Sequence, residues 1–233
     1  MSSVPLILTV MRLVYHVFSE CGARASNQDR VAVLRMKERS LFILCDGVGS
    51  LPGSHIAAEF VCTNLAAWWG TRTGWGDCVR KVREACRKVY LRLGLKRARM
   101  GTTMVMAAVE DDVLTVGWCG DSRCYVYRPG FGLVFVTSDH RALGGAERGP
   151  LLRGFFTYGG ADRAVPDVHR LVLRQGDTVL LSSDGLHDAL QPDVLEGLLA
   201  GRQPVADLCR CMADLCRGRS HDNFTGVVIR VYD

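Results

Sequence analysis

Two pairs of helical stretches bracket a run of short apolar strands, and this order restricts the fold more than any other feature of the chain. Leu13 to Phe18, Val31 to Leu34 and Leu41 to Cys45 read as strands, the last two joined by the polar turn Lys37-Glu38-Arg39. His55 to Trp69 then carries apolar residues at helical spacing, and Asp77 to Leu95 carries the stripe Val79, Val82, Cys86, Val89, Tyr90 and Leu93. From Thr102 onward strands dominate: Met104 to Val109, Val113 to Trp118, Cys124 to Tyr127, Leu133 to Val136, His169 to Leu173 and Val179 to Leu181. Turn signals at Asp111-Asp112, Pro129-Gly130 and Gln175-Gly176-Asp177 separate them. Helices over Pro192 to Ala200 and Val205 to Arg217 precede a closing strand, Gly226 to Tyr232. This pattern predicts an α+β fold, a four-layer α/β/β/α sandwich in which the helix pairs cover the outer faces of two antiparallel sheets.

The 233 residues suit one domain, assigned to 12–232 with a short segment 1–11 before it, and no linker or repeat divides them. With 48% hydrophobic and 23% charged residues, disorder is excluded. A net charge of +5 is too small to mark a nucleic-acid binder. The ten cysteines form no C-x-x-C pair and sit largely in apolar runs, where a free thiol behaves as a small hydrophobe, so a reducing cytoplasm suits them. The apolar N-terminal stretch is interrupted by Arg12 and lacks a basic leader, which argues for a soluble protein with no membrane partner.

Four aspartates stand where propensity does not put them. Asp46 ends the strand LFILCD, Asp184 ends TVLLSSD, Asp121 follows LTVGWCG, and Asp222 precedes TGVVIRV. A carboxylate at the mouth of an apolar strand is poorly solvated and calls for a compensating cation. Carboxylate oxygens, water and a backbone carbonyl are the ligand set of Mg²⁺ or Mn²⁺, and a glycine after the acid lets a carbonyl approach the ion. Asp-Gly is also an ordinary turn dipeptide, so no single one of these acids defines a site.

The strings around these acids carry more. Arg24-Ala25-Ser26-Asn27-Gln28-Asp29 is similar to R-x-x-N-E-D, and Asp46-Gly47-Val48-Gly49 to D-G-x-G. Gly101-Thr102-Thr103, Gly120-Asp121-Ser122-Arg123, Ser182-Ser183-Asp184-Gly185-Leu186 and Asp222-Asn223 complete the series. In this order they resemble the metal-dependent protein Ser/Thr phosphatases of type 2C, and the resemblance extends from about residue 12 to 232.

That resemblance implies a β-sandwich with two metals, Mn²⁺ or Mg²⁺, at one end. Asp46 bridges both ions, Asp184 and Asp222 hold the first, the Gly47 carbonyl holds the second, and Asp121 helps bind a third, looser ion. Arg24 and Asp29 take catalytic positions, with Arg24 gripping the substrate phosphate, while Gln28 and Asn223 lie next to the ions. The implied reaction is hydrolysis of phosphoserine and phosphothreonine in proteins by a hydroxide bridging the two metals, with no protein nucleophile. The implied partners are phosphoproteins made by an opposing kinase, met by a monomeric, cytoplasmic enzyme. A non-catalytic pseudophosphatase that binds without turnover, and a hydrolase of small phosphoesters, are the alternative functions.

Departures from the pattern matter too. Gln28 replaces the commonest residue, Glu, and drops one negative charge beside the second ion. Val48 stands where animal members carry a histidine, a bacterial style; His55, His140 and His187 are neighbours that could protonate the leaving group. Ser220-His221-Asp222 is not a triad, because adjacent residues on extended chain point to opposite faces. The stretch from Asp139 to Asp167 reads either as a compact, glycine-containing substrate-binding flap beside the site or as an ordinary surface loop. Arg80 to Arg99 carries nine basic residues and one acid on an amphipathic helix, which is a solvated face or a dock for an acidic partner or nucleic acid.

Overall fold

The structure, a computed structural model, describes residues 11–36, 39–71, 78–95, 98–143 and 149–232. Strands β1 (Arg12–Glu20), β2 (Arg30–Arg35) and β3 (Arg39–Cys45) lead into helices α1 (Ser54–Gly70) and α2 (Cys78–Leu93). Strands β4 (Gly101–Thr102), β5 (Met104–Glu110), β6 (Val113–Cys119), β7 (Arg123–Arg128), β8 (Gly132–Val136) and β9 (Phe155–Phe156) follow. A 3₁₀ turn (Ala161–Ala164), β10 (Asp167–Val172), β11 (Thr178–Ser182), α3 (Asp184–His187), α4 (Pro192–Ala200), α5 (Val205–Cys216) and β12 (Phe224–Tyr232) complete the chain. One five-stranded antiparallel sheet runs β1-β12-β11-β7-β8 and the other β10-β6-β5-β3-β2.

Alternation along each strand builds three apolar layers between four structural ones. In β3, Leu41, Ile43 and Cys45 pack under α1 and α2, while Phe42 and Leu44 face the opposite sheet. In β11, Val179 and Leu181 face that same interior, while Leu180 packs against α4 and α5. Central strands are therefore buried on both faces and read as continuous apolar runs instead of half-polar alternation. The expected α/β/β/α sandwich is what forms.

The element ends predicted from the sequence move by a residue or two. Lys37 and Glu38 of the expected turn, and Asp77 at the expected start of the second helix, lie outside the described residues. Segments of two to four residues (β4, β9, the 3₁₀ turn and α3) were not anticipated, because nothing that short shows a period. Helix α2 buries Val82, Cys86, Val89 and Leu93, and its exposed face pairs Glu84 with Lys88 at 2.7 Å and with Arg80 at 3.9 Å.

Candidate metal centre

Strand direction collects the aspartates. β3 and β6 are both antiparallel to β5, so Asp46 after β3 and Asp121 after β6 emerge at the same end of one sheet. In the other sheet Ser182 pairs with Gly226, so Asp184 leaves β11 at the end where Asp222 enters β12. Glu20 pairs with Phe224 and Arg30 with Cys45, which puts the loop carrying Arg24, Gln28 and Asp29 over that same end. Arg24, Asp46, Gly47, Asp121, Asp184 and Asp222 line one cleft of about 370 Å³.

The motif strings hold one another in place. Thr103 N–H donates to the Asp46 carbonyl at 2.8 Å and Asp46 N–H donates to Thr103 Oγ1 at 3.2 Å. Thr102 Oγ1 donates to the same carbonyl at 2.8 Å, and Thr103 Oγ1 meets Ser122 Oγ at 2.6 Å. Gly120, before Asp121, has φ +124°, and a Cβ there would lie 2.6 Å from Thr103 Cβ. That conformation and that contact both require glycine. At Gly47 a Cβ would come within 2.9 Å of Gln28 Cβ, so the backbone passes Gln28 closely.

Asn223 is a brace. Its Nδ2 donates to the Cys21 and Ser26 carbonyls, both at 2.9 Å, and its Oδ1 accepts from Gln28 N–H at 2.8 Å. Its amide is thereby committed to fixing the Arg24–Gln28 loop onto β12. Ser220 Oγ donates to backbone carbonyls at Gly185 and Asp222, in keeping with the absence of a triad.

The electrostatics favour a cation. Burial holds the Asp46 carboxyl well above the usual carboxylate range, and the charges of Asp29, Asp184, Asp121 and Asp222 push the same way. Asp29, 3% exposed, is raised chiefly by burial, against hydrogen bonds from Thr225 and Ser183, the latter at 2.9 Å. Among the described residues, buried Gln28 Oε1 and Asp29 Oδ1 have no hydrogen-bond partner. Among the described residues no three acids converge closely enough to form a ready-made metal cage, but four carboxylates on the cleft, a close-passing glycine backbone and an orphaned Gln28 oxygen are the oxygen groups that Mg²⁺ or Mn²⁺ takes.

Two guanidiniums face these acids. Arg24 forks onto Asp222, Nε to Oδ1 at 3.0 Å and an amino group to Oδ2 at 2.8 Å. This contact raises the Arg24 pKa. Arg141, which the sequence did not single out, donates through Nε to Asp121 Oδ2 at 2.5 Å. It belongs to the expected flap, whose described part is pinned by an Arg141–Leu151 bridge and by Arg153 and His140 on Asp167 at 2.7 and 3.0 Å. His140 also accepts from Gly120 N–H at 3.1 Å, His187 pairs with Ser182 at 2.9 Å, and His55 is exposed on α1. None of the three lines the cleft. Phe156, Tyr158 and Arg163 from the flap do line it, and only the fold could show that.

Comparison with known proteins agrees with this fold. A family model described as protein phosphatase 2C matches residues 19–220. Protein phosphatase PhpP of Streptococcus pneumoniae is 31% identical over 209 residues, covering 79% of this chain and 82% of that one. The catalytic domain of serine threonine protein phosphatase PstP, solved in complex with 2 manganese ions, superposes with TM-score 0.78 at 27% identity, covering 96% of this chain and 100% of that one. The S. agalactiae serine/threonine phosphatase shares the fold at TM-score 0.82 and 23% identity, over 94% of this chain and 99% of that one. The chain belongs to the protein phosphatase 2C family. It is a protein phosphatase.

Proposed function

We propose that residues 12–232 act as a single phosphatase domain that hydrolyses phosphoserine and phosphothreonine in proteins, using two divalent ions held in the cleft. Asp46 would be shared by the ions, Asp184 and Asp222 would hold one, and the Gly47 carbonyl would serve the other. The observation that carries this reading is the single cleft that Arg24, Asp46, Gly47, Asp121, Asp184 and Asp222 share at one end of the two sheets. Ions bound there supply Lewis acidity, a water of lowered pKa and neutralisation of phosphoryl charge.

The chain's own residues do the rest. Arg24 uses two of its five N–H groups on Asp222, which leaves donors at the cleft for phosphoryl oxygens. Asp29 acts through others: buried behind Asp46 and held by Ser183, it fixes the ligand set and does not touch substrate. Gln28 stands beside Gly47 with its carbonyl oxygen unspent, a neutral donor toward the second ion. None of His55, His140 and His187 lines the cleft, so none of the three is placed to protonate the leaving oxygen.

The substrates are products of a Ser/Thr kinase, and the enzyme works as a monomer in the cytoplasm, an environment that suits its nine described free cysteines. Among the described residues no helix is long and apolar enough to cross a membrane. The test is phosphate release from a phosphothreonine peptide by chelator-stripped protein, with and without Mn²⁺. Release only with Mn²⁺ is expected. Release in excess chelator, or none with Mn²⁺, contradicts the reading, and hydrolysis of p-nitrophenyl phosphate with the peptide spared favours a small-phosphoester hydrolase.

A further inference from the structure

Asp121 is 1% exposed, and a carboxylate so buried needs a cation. The resemblance supplies a third, loose metal ion for it. The structure supplies Arg141. Its Nε lies 2.5 Å from Asp121 Oδ2, a terminal amino group contacts the same oxygen, and that amino group is 3.7 Å from Asp184 Oδ2. Its other amino group donates to the Gly149 carbonyl at 2.9 Å.

The arginine is positioned from both sides. His140 N–H donates to the Gly120 carbonyl at 2.9 Å, Leu152 N–H to the His140 carbonyl at 2.8 Å, and Ala142 N–H to the Pro150 carbonyl at 3.0 Å. The backbone flanking Arg141 is thus tied both to the residue before Asp121 and across the flap, and the Arg141 side chain is only 21% exposed.

We propose that Arg141 is the built-in counter-cation of Asp121, so that this chain binds two divalent ions and excludes a third from the Asp121 carboxylate. This rests on the two-ion reading above. A guanidinium brings a fixed positive charge and a planar fork that matches a carboxylate. A divalent ion at Asp121 would face that fixed positive charge while losing the oxygen the arginine holds. The arginine and the third ion are mutually exclusive on one carboxylate, and the strength of one sets the weakness of the other.

The experiment is isothermal titration of chelator-stripped protein with Mn²⁺. Wild type is expected to bind two ions, and Arg141→Ala a third, with at least about tenfold higher affinity than any third event in wild type, within the usual range of coupling between sites. Arg141→Lys keeps the charge and is expected to suppress the third ion again. Asp121→Asn alone is expected to keep the two-ion isotherm, and added to Arg141→Ala to abolish the gained ion. Thermal melts monitored by circular dichroism check that each variant is folded, and the Asp121→Asn arm stands if Arg141→Ala does not fold. A two-ion wild-type isotherm that Arg141→Ala overlays overturns the role of Arg141 alone, as does loss of an ion in Asp121→Asn. No Mn²⁺ binding by wild type or variant overturns the two-ion reading along with it.

Discussion

Thr103→Val is the substitution whose cost the structure lets one work out. Valine keeps the volume and β-branching of threonine and deletes only the hydroxyl. That hydroxyl accepts from Asp46 N–H at 3.2 Å and meets Ser122 Oγ at 2.6 Å, and Thr103 and Ser122 are each 1% exposed. Its loss orphans two interior polar groups. At about 1–3 kcal/mol for each unsatisfied buried group, with some relaxation, the sum is roughly 2–4 kcal/mol. For a domain of this size each kcal/mol moves the midpoint by about 2–4 °C, so the melt should fall by roughly 5–15 °C. Thr103→Ser keeps the hydroxyl and should melt much closer to wild type. Function should follow, because the same hydroxyl positions the Asp46 backbone: the Mn²⁺ concentration giving half-maximal turnover should rise in the valine protein. Differential scanning calorimetry of the stripped proteins and a Mn²⁺ titration of turnover read both effects. A valine variant that melts within about 2 °C of wild type would refute the bracing role.

Other outcomes follow from the same geometry. Arg24→Lys keeps the charge but loses the fork, so KM for phosphopeptide should rise and inhibition by inorganic phosphate should weaken; an unchanged phosphate inhibition constant removes Arg24 from substrate binding. Gln28→Glu adds a charge to an oxygen that has no partner, so it should lower the Mn²⁺ needed for half-maximal turnover with a smaller change in maximal rate, and a titration that overlays wild type refutes a role toward the ion. Gly120→Ala places a Cβ 2.6 Å from Thr103 Cβ at a positive φ, so it should destabilise the protein by about 1–3 kcal/mol, and a wild-type melt contradicts this.

The sandwich was legible because its strands and amphipathic helices are long enough to show a period, and the acids because they break that period at strand mouths. Asp46, Asp121 and Asp184 sit one or two residues past the ends of their strands, and Asp222 two residues before the start of its own, where local propensity offers no reason for a charge. Arg141 was not legible. It lies in a stretch without periodicity, and its meaning comes from the backbone ties that carry it back onto Asp121. The same holds for Asn223: its place in a D-N string suggested proximity to the ions, whereas its side chain is spent on Cys21, Ser26 and Gln28. The histidines were suggested by closeness in sequence, and the fold turns them to Asp167, Ser182 and solvent. Strand ends advertise their residues; the partners across a cleft depend on long-range pairing that no local pattern records.

The proposed role of Asp46 as shared ligand of two divalent ions is open to direct test. Its most direct measurement is the Mn²⁺ content of chelator-stripped wild type and Asp46→Asn protein after equilibration with Mn²⁺ and removal of free ion, read by mass spectrometry beside a circular dichroism check of folding. About two ions per wild-type chain are expected, with loss of both in a folded Asp46→Asn protein, because asparagine lacks the charge that holds the pair. A folded Asp46→Asn protein that retains the wild-type ion content would contradict it.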